Sequence, residues 1–273
     1  LDVPLPFSLV SNDEARGRLV IMPAYWWLHN MYALARNPWK FRTRDRRKTK
    51  TQKVEFDALA PDTAEEMLRA MELLEIWTGQ AHLRWRGETP GETADSWLAA
   101  IGRRLLREAG DRTADLEVLG ERVENSRRKV VVLHARRGYH AYREMLHYYA
   151  VKNLLDYGKT DSAAALSTML AELGGTPPHE WVNLGGQLVP AEEVTRLRSD
   201  IRCGTLNSWP EIHQRYDELW NAYPLQKQRH SLATLLTVLG AGQLTTELWE
   251  SAVKEAIRIQ EYVCEQVLLT RRK

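Results

Sequence analysis

Apolar positions recur mostly at helical spacing, and proline and glycine signals cut the pattern into segments. Residues 1–20, with Pro4, Pro6 and Gly17, read as an extended lead-in segment. From Pro23 to Ala35 the apolar run is nearly continuous, which predicts a buried helix with proline in its first turn. Asn37-Pro38 is expected to end it, because the residue before proline is pushed out of the helical region. Residues 40–53 have no apolar period and read as a loop or irregular arm, followed by a short extended piece at Val54 and Phe56.

After Pro61 the signals turn helical. Thr63-Ala-Glu-Glu66 is a capping box ahead of Met67, Leu68, Met71, Leu74 and Trp77. A polar connection, Arg86 to Gly91, precedes a helix near 94–109. Val123 to Tyr157 holds no proline and a single glycine, Gly138, which predicts one long helix or two broken at that glycine. Asp161 caps the next helix, which ends at Gly174-Gly175. Trp181 to Val189, with Gly185-Gly186 at its middle, predicts a small β-hairpin, and Pro190 starts another helix. Ser208-Trp-Pro-Glu211 is a second capping box opening a helix to Tyr223. Pro224 restarts one to Leu239, and Thr245 or Thr246 opens the last, which passes Leu268.

The sum is an all-α protein, an irregular multi-helix domain of about eight or nine helices with one small hairpin near 181–189. No fixed period argues for a solenoid. Residues 21–273 read as a single helical domain after the 1–20 segment, with 21–157 and 158–273 as an alternative pair of subdomains. The chain opens without an initiator methionine and is expected to be a fragment of a longer protein.

Charge adds one feature. Between Arg36 and Lys53 nine Lys/Arg stand against one acid, Asp45, so this segment carries +8 while the whole chain carries +2 and the remainder −6. Such concentration points towards an anionic ligand. Arg42, Arg44, Arg46, Arg47, Lys48 and Lys50 are the candidate phosphate contacts, Arg supplying forked hydrogen bonds and Lys point charge. Tyr25, Trp26, Trp27 and Trp39 flank the arm and are candidates to stack on a base or sugar ring. The competing reading is a solvated loop that pairs with acids of its own protein. A phosphorylated small molecule such as a nucleotide sugar predicts Arg44, Arg46 and Arg47 converging on a Trp-walled pocket. Nucleic acid predicts a flat basic face and steep salt dependence. An assembly role without ligand predicts Trp side chains as interface anchors.

Other chemistry is sparse. His140, Glu144 and His147 share one helix face, and Glu144-Met-Leu-His147 has the Glu-x-x-His spacing of di-iron bundles, yet no second such pair exists and no metal is expected. His29, His140 and Glu144 are the side chains to test for acid/base work. The glycine pairs lack the residues of a phosphate loop, and no cofactor is expected. No run of about 18 apolar residues is present, so no membrane partner is expected. Cys203 and Cys264 suit a reducing cytoplasm.

Met22-Pro-Ala-Tyr-Trp-Trp-Leu-His-Asn-Met-Tyr-Ala-Leu-Ala-Arg-Asn37 resembles a known family, as do Phe56 to Thr63, Gly138 to Tyr149, Trp181 to Gln187 and Ile259 to Val263. Over nearly its whole length the chain resembles the C-terminal helical part of the bacterial family called domain of unknown function 4954. Members are larger, with an N-terminal part that looks like a left-handed β-helix of hexapeptide repeats. The resemblance implies that β-helix as a partner region in the parent protein and raises the expectation of sugar-nucleotide chemistry. It supplies no catalytic residues. Taken together, the chain is expected to be a non-catalytic or accessory helical domain that binds a phosphorylated small ligand.

Overall fold

The structure, a computed structural model, describes residues 3–48, 51–89, 94–108, 113–121, 123, 128–157, 163–174, 177 and 179–271, with backbone only at 163 and 164. The expectations for Lys50, Asp161 and Gly175 therefore lie outside the described residues. In chain order the elements are β1 (Leu9–Asp13), β2 (Arg18–Met22), α1 (Tyr25–His29), α2 (Met31–Arg44), α3 (Pro61–Trp85), α4 (Asp95–Arg107), β3 (Lys129–Val132), α5 (Ala135–Tyr157), α6 (Ala163–Leu173), β4 (Trp181–Leu184), β5 (Gln187–Pro190), α7 (Ala191–Arg202), α8 (Trp209–Leu239) and α9 (Thr246–Arg271). The protein is mostly helical, with a few short strands in two small sheets. Among the described residues no helix is long and apolar enough to cross a membrane.

The chain divides into two compact units. Unit 1 comprises residues 1–34, 66–144 and 264–273, and unit 2 comprises 35–65 and 145–263.

Unit 1 contains the three-stranded sheet, which the helical reading did not anticipate. β1 pairs antiparallel with β2, Leu9 opposite Met22, and β2 pairs parallel with β3, Leu19 opposite Val130. Leu19, Ile21 and Val130 to Val132 are buried. Three consecutive β-branched valines, whose χ1 freedom a helix restricts, explain why 129–132 forms a strand and α5 begins only at Ala135. The helix is not broken at Gly138. That glycine is small for packing: a Cβ there would lie 2.3 Å from Pro23 Cγ. Close approach also explains Gly102 on α4, where a Cβ would stand 1.8 Å from the Glu75 carbonyl oxygen of α3. Beside that crossing Arg103 donates twice to the buried Glu75 carboxylate (2.9 and 2.8 Å), and the Tyr139 hydroxyl donates to it at 2.7 Å. Burial and the Glu75 charge push the Tyr139 hydroxyl up to about 12.

The expected helix 23–35 is instead two, α1 and α2, separated at Asn30 with φ −141°. Pro38 lies inside α2 and does not end it. Proline removes one backbone bond, whereas Lys40, Arg42 and Arg44 are good helix formers and sit favourably at the negative end of the helix dipole. The arm is therefore helical to Arg44 and irregular only beyond.

In unit 2 the predicted hairpin is present: β4 and β5 pair Trp181 with Pro190 and Leu184 with Gln187. Gly185 (φ 65°) and Gly186 (φ 107°) make the two-residue turn, a backbone only glycine adopts without strain. Val189 packs with Val194 and Leu219, and Leu188 with Ala60, Tyr223, Trp181 and Trp220, which seats the hairpin on α7 and α8. The capping box is present, Glu211 accepting from the Ser208 N–H at 3.1 Å. From there α8 runs without interruption through Pro224, in place of the two helices expected. A helix of 31 residues with buried side chains on both sides of the proline, Leu219 and Tyr223 before it and His230 to Val238 after it, tolerates the single missing N–H.

Candidate functional site: the basic arm and the cleft beside it

The arm residues divide by partner. Arg42 lies over the Phe56 ring (5.0 Å) and reaches Asp57 at 3.6 Å, while Phe41 stacks on Phe56 at 5.0 Å. Arg47 forks onto Asp45, Nε to Oδ1 and Nη2 to Oδ2 both at 3.0 Å, and also donates to Gln52 Oε1 at 3.3 Å. These two arginines fold the arm back on itself, as the solvated-loop reading expects. Arg44, Arg46 and Lys48 are exposed and have no acidic partner among the described residues. Trp39 is 58% exposed and does not line the cleft beside the arm.

The Trp-rich stretch is placed in unit 1 and the arm in unit 2. Trp27 is buried, its indole N–H donating to Glu144 Oε2 at 3.3 Å; Tyr25 sits 5.2 Å from the His29 ring, and Trp26 is half-buried. His140 donates its Nε2–H to the Leu106 carbonyl (2.9 Å), and burial holds its pKa below the ordinary histidine value. His147 makes the same kind of contact with the Ala252 carbonyl at 2.8 Å. The Glu-x-x-His pair is thus engaged with an indole and a backbone carbonyl.

Beyond Lys48 the arm leads into the wall of a cleft. Gln52 and Lys53, with Gln187 of β5 and His213, Tyr216 and Asp217 of α8, line a cavity of about 460 Å³ in unit 2. Gln187, 4% exposed, donates to the Tyr216 carbonyl at 3.0 Å and holds the hairpin against α8. Lys53 lies 3.7 Å from Asp217. Gln52 donates to the Gly185 carbonyl in the hairpin turn, and the Glu55 N–H donates to Gly186 at 2.8 Å. Residues 52–55 are therefore zipped onto the turn. The chemistry on offer is the Lys53–Asp217 pair, the side-chain amides of Gln52 and Gln187, and the rings of His213 and Tyr216 as a platform. Sequence reading missed the cleft, because its residues come from three separate segments.

Behind the cleft, one face of α8 carries a buried polar stripe. Glu55 accepts from Lys227 Nζ (2.9 Å) and from the Tyr223 hydroxyl (2.7 Å). Burial alone would raise the Glu55 carboxyl, but Lys227, the Asp57 N–H and Tyr223 outweigh it and hold it below the ordinary value. His230 Nε2 meets Glu65 Oε1 at 2.9 Å and its Nδ1 meets the Tyr149 hydroxyl at 3.0 Å. A neutral ring that donates to the carboxylate accepts from the tyrosine. Asn153 donates to Ser231 at 3.1 Å. Tyr149 and His230 are sealed from solvent, and none of the stripe residues lines the cleft, so the stripe is structural. Its signal in the sequence is polar residues at 223, 227, 230, 231 and 234, the helical spacing at which apolar residues are expected.

The chain is 38% identical to an uncharacterised protein of Treponema pallidum (strain Nichols) over 273 residues, which is 100% of this chain and 36% of that relative. It therefore spans about a third of the relative's length. No protein-family model matches the chain, and no solved structure matches it.

Proposed function

We propose that this chain is an accessory, non-catalytic helical module that binds a phosphorylated small ligand, of the nucleotide-sugar type, at the entrance to the unit 2 cleft. Arg44, Arg46 and Lys48 meet the phosphates, and the ring of the ligand lies on His213 and Tyr216 among Gln52, Gln187 and Asp217. The observation that carries this reading is that three exposed cations lacking acidic partners among the described residues stand a few positions along the sequence from residues 51–53, which wall a cavity of about 460 Å³. The reading moves the aromatic platform away from the tryptophans and removes Arg47, which Asp45 already holds. In this proposal the chain is the helical part of a longer protein of the kind called domain of unknown function 4954, and any catalysis belongs to the remainder.

The test is a thermal-shift series with UDP-glucose, UMP, glucose and a short single-stranded RNA. At 100 times the dissociation constant, binding adds about 2.7 kcal/mol of stability. UDP-glucose should raise the melting temperature more than UMP or glucose, and Arg44→Ala/Arg46→Ala should abolish the shift. A shift from RNA alone, falling steeply with salt, would replace this reading with nucleic-acid binding, which the exposure of Arg44, Arg46 and Lys48 also suits.

A further inference from the structure

We infer that unit 1 holds a second anion site, independent of the arm: a cleft of about 390 Å³ lined by Arg18, His134, Arg136 and Arg137, which takes the phosphate group of a small phosphoester.

The argument starts from the arginines. Arg136 lines the cleft, and its Nη2 donates to the Glu108 carbonyl at 2.9 Å. Its Nε–H is sealed from solvent and has no hydrogen-bond partner. A cationic donor left unsatisfied away from water is costly, and a turn of the half-buried guanidinium toward an acceptor in the cleft relieves it. Arg137 is exposed at the same cleft and has no acidic partner among the described residues.

The backbone adds to this field. The two arginines sit in the first turn of the 23-residue α5, which has no acidic residue there. Cations at the positive end of a helix dipole are unfavourable unless an anion stands beside them. Chain entry through His134 (φ 55°) supplies no Ser, Thr, Asp or Asn as a cap. The first helical bond runs from the Gly138 N–H to the His134 carbonyl at 3.0 Å, and the N–H groups of residues 135–137 have no acceptor among the described residues.

Acids limit the kind of anion. Arg18 is held by Asp13 at 2.8 Å, and Lys129 holds Glu117, so neither changes the balance greatly. Asp115, exposed on the rim, is the acid left without a cation among the described residues. Two free arginines and a helix terminus against one rim carboxylate suit one compact phosphate, not a polyphosphate chain.

Titration of the chain with inorganic phosphate, followed by ³¹P NMR and calorimetry, tests this. One equivalent should bind saturably, Arg137→Gln should weaken it at least tenfold, and Arg44→Gln/Arg46→Gln should leave it unchanged. Arg136→Gln should weaken it too; because it also loses the Glu108 contact, the exposed Arg137 variant carries the decision if Arg136→Gln does not fold. No saturable binding, unchanged affinity in Arg137→Gln, loss in the arm variant, or acetate binding as tightly as phosphate would each overturn the inference.

Discussion

The arm and the inner face of α8 lie in the same unit and use charge in opposite ways. The arm concentrates +8 in 18 residues, yet two of its arginines fold onto Asp45 and Asp57 and three of its other cations stand in solvent. The α8 face holds a half-buried lysine and a buried histidine, each met by a carboxylate at 2.9 Å. Charge density along a chain measures what can reach a ligand; convergence in space decides what holds a fold. The two regions should therefore respond differently to substitution, stability falling in one and ligand binding in the other.

The largest expected effect is on the α8 face. Lys227→Met leaves Glu55, and Asp57 at 3.9 Å, without their shared cation. Removing one partner of a buried pair strands the other charge, and a loss of about 3 kcal/mol should appear in urea unfolding at unchanged slope. An unchanged midpoint would mean that this face is no more structural than the arm.

Glu55→Gln should cost somewhat less, about 2 kcal/mol near neutral pH, because the amide keeps the shape but loses charge-assisted bonds to Lys227 and Tyr223. Its pH dependence has a defined sign. The folded carboxyl titrates below the ordinary value of 4.5, so its contribution is complete above about pH 4.5 and is lost as pH falls through the folded value. Asp62 works the other way, since burial raises its carboxyl; the Glu55 charge adds a smaller push that the amide removes, so most of the Asp62 contribution is common to both proteins. The stability gap between wild type and Glu55→Gln should therefore shrink below pH 4.5. A gap that is constant with pH would remove the charge from the explanation.

The legibility of these regions in the sequence follows from how local each signal is. The Ser208–Glu211 capping box, the Gly185-Gly186 hairpin and the start of α9 at Thr246 rest on residues within four positions of each other, and all were readable. The prolines mislead for two reasons: at Pro38 the helix formers after it and the helix dipole outweigh one lost bond, and at Pro224 the buried residues on both sides, from Leu219 to Val238, carry α8 through. The parallel pairing of β2 with β3 joins residues more than 100 positions apart, such as Leu19 and Val130, and no local period announces it. At the site, the arm was visible as charge, but the roles of its members were not. That Arg47 is held and Arg46 is open depends on Asp45 and Gln52 in three dimensions.

Trp181 sharpens the comparison from the apolar side. It stands edge-on to Tyr223 (5.9 Å) and His230 (6.1 Å), and its indole N–H is sealed from solvent without a partner. Trp181→Phe removes that unsatisfied donor along with some contact area, so the two effects oppose and stability should change by less than about 1 kcal/mol. A loss of several kcal/mol would show that the ring's volume, not the polar stripe, fixes the hairpin on α8.

The smallest stability effects belong to the arm. Arg42→Ala breaks an ion pair whose arginine is 61% exposed, and such pairs contribute about 0.5 kcal/mol or less. Arg44→Ala/Arg46→Ala breaks no ion pair among the described residues and should leave the melting temperature of the free chain within error. The same double variant should erase the shift produced by UDP-glucose, and the shift in wild type should decline as salt screens the exposed cations. Lys227→Met should do the reverse: a lower melting temperature with a ligand-induced shift still present at temperatures where the fold persists, because Lys227 does not line the cleft and is 12% exposed. If the arm variant lowered stability as much as Lys227→Met does, the exposed cations would be structural and the distinction between the two regions would fail.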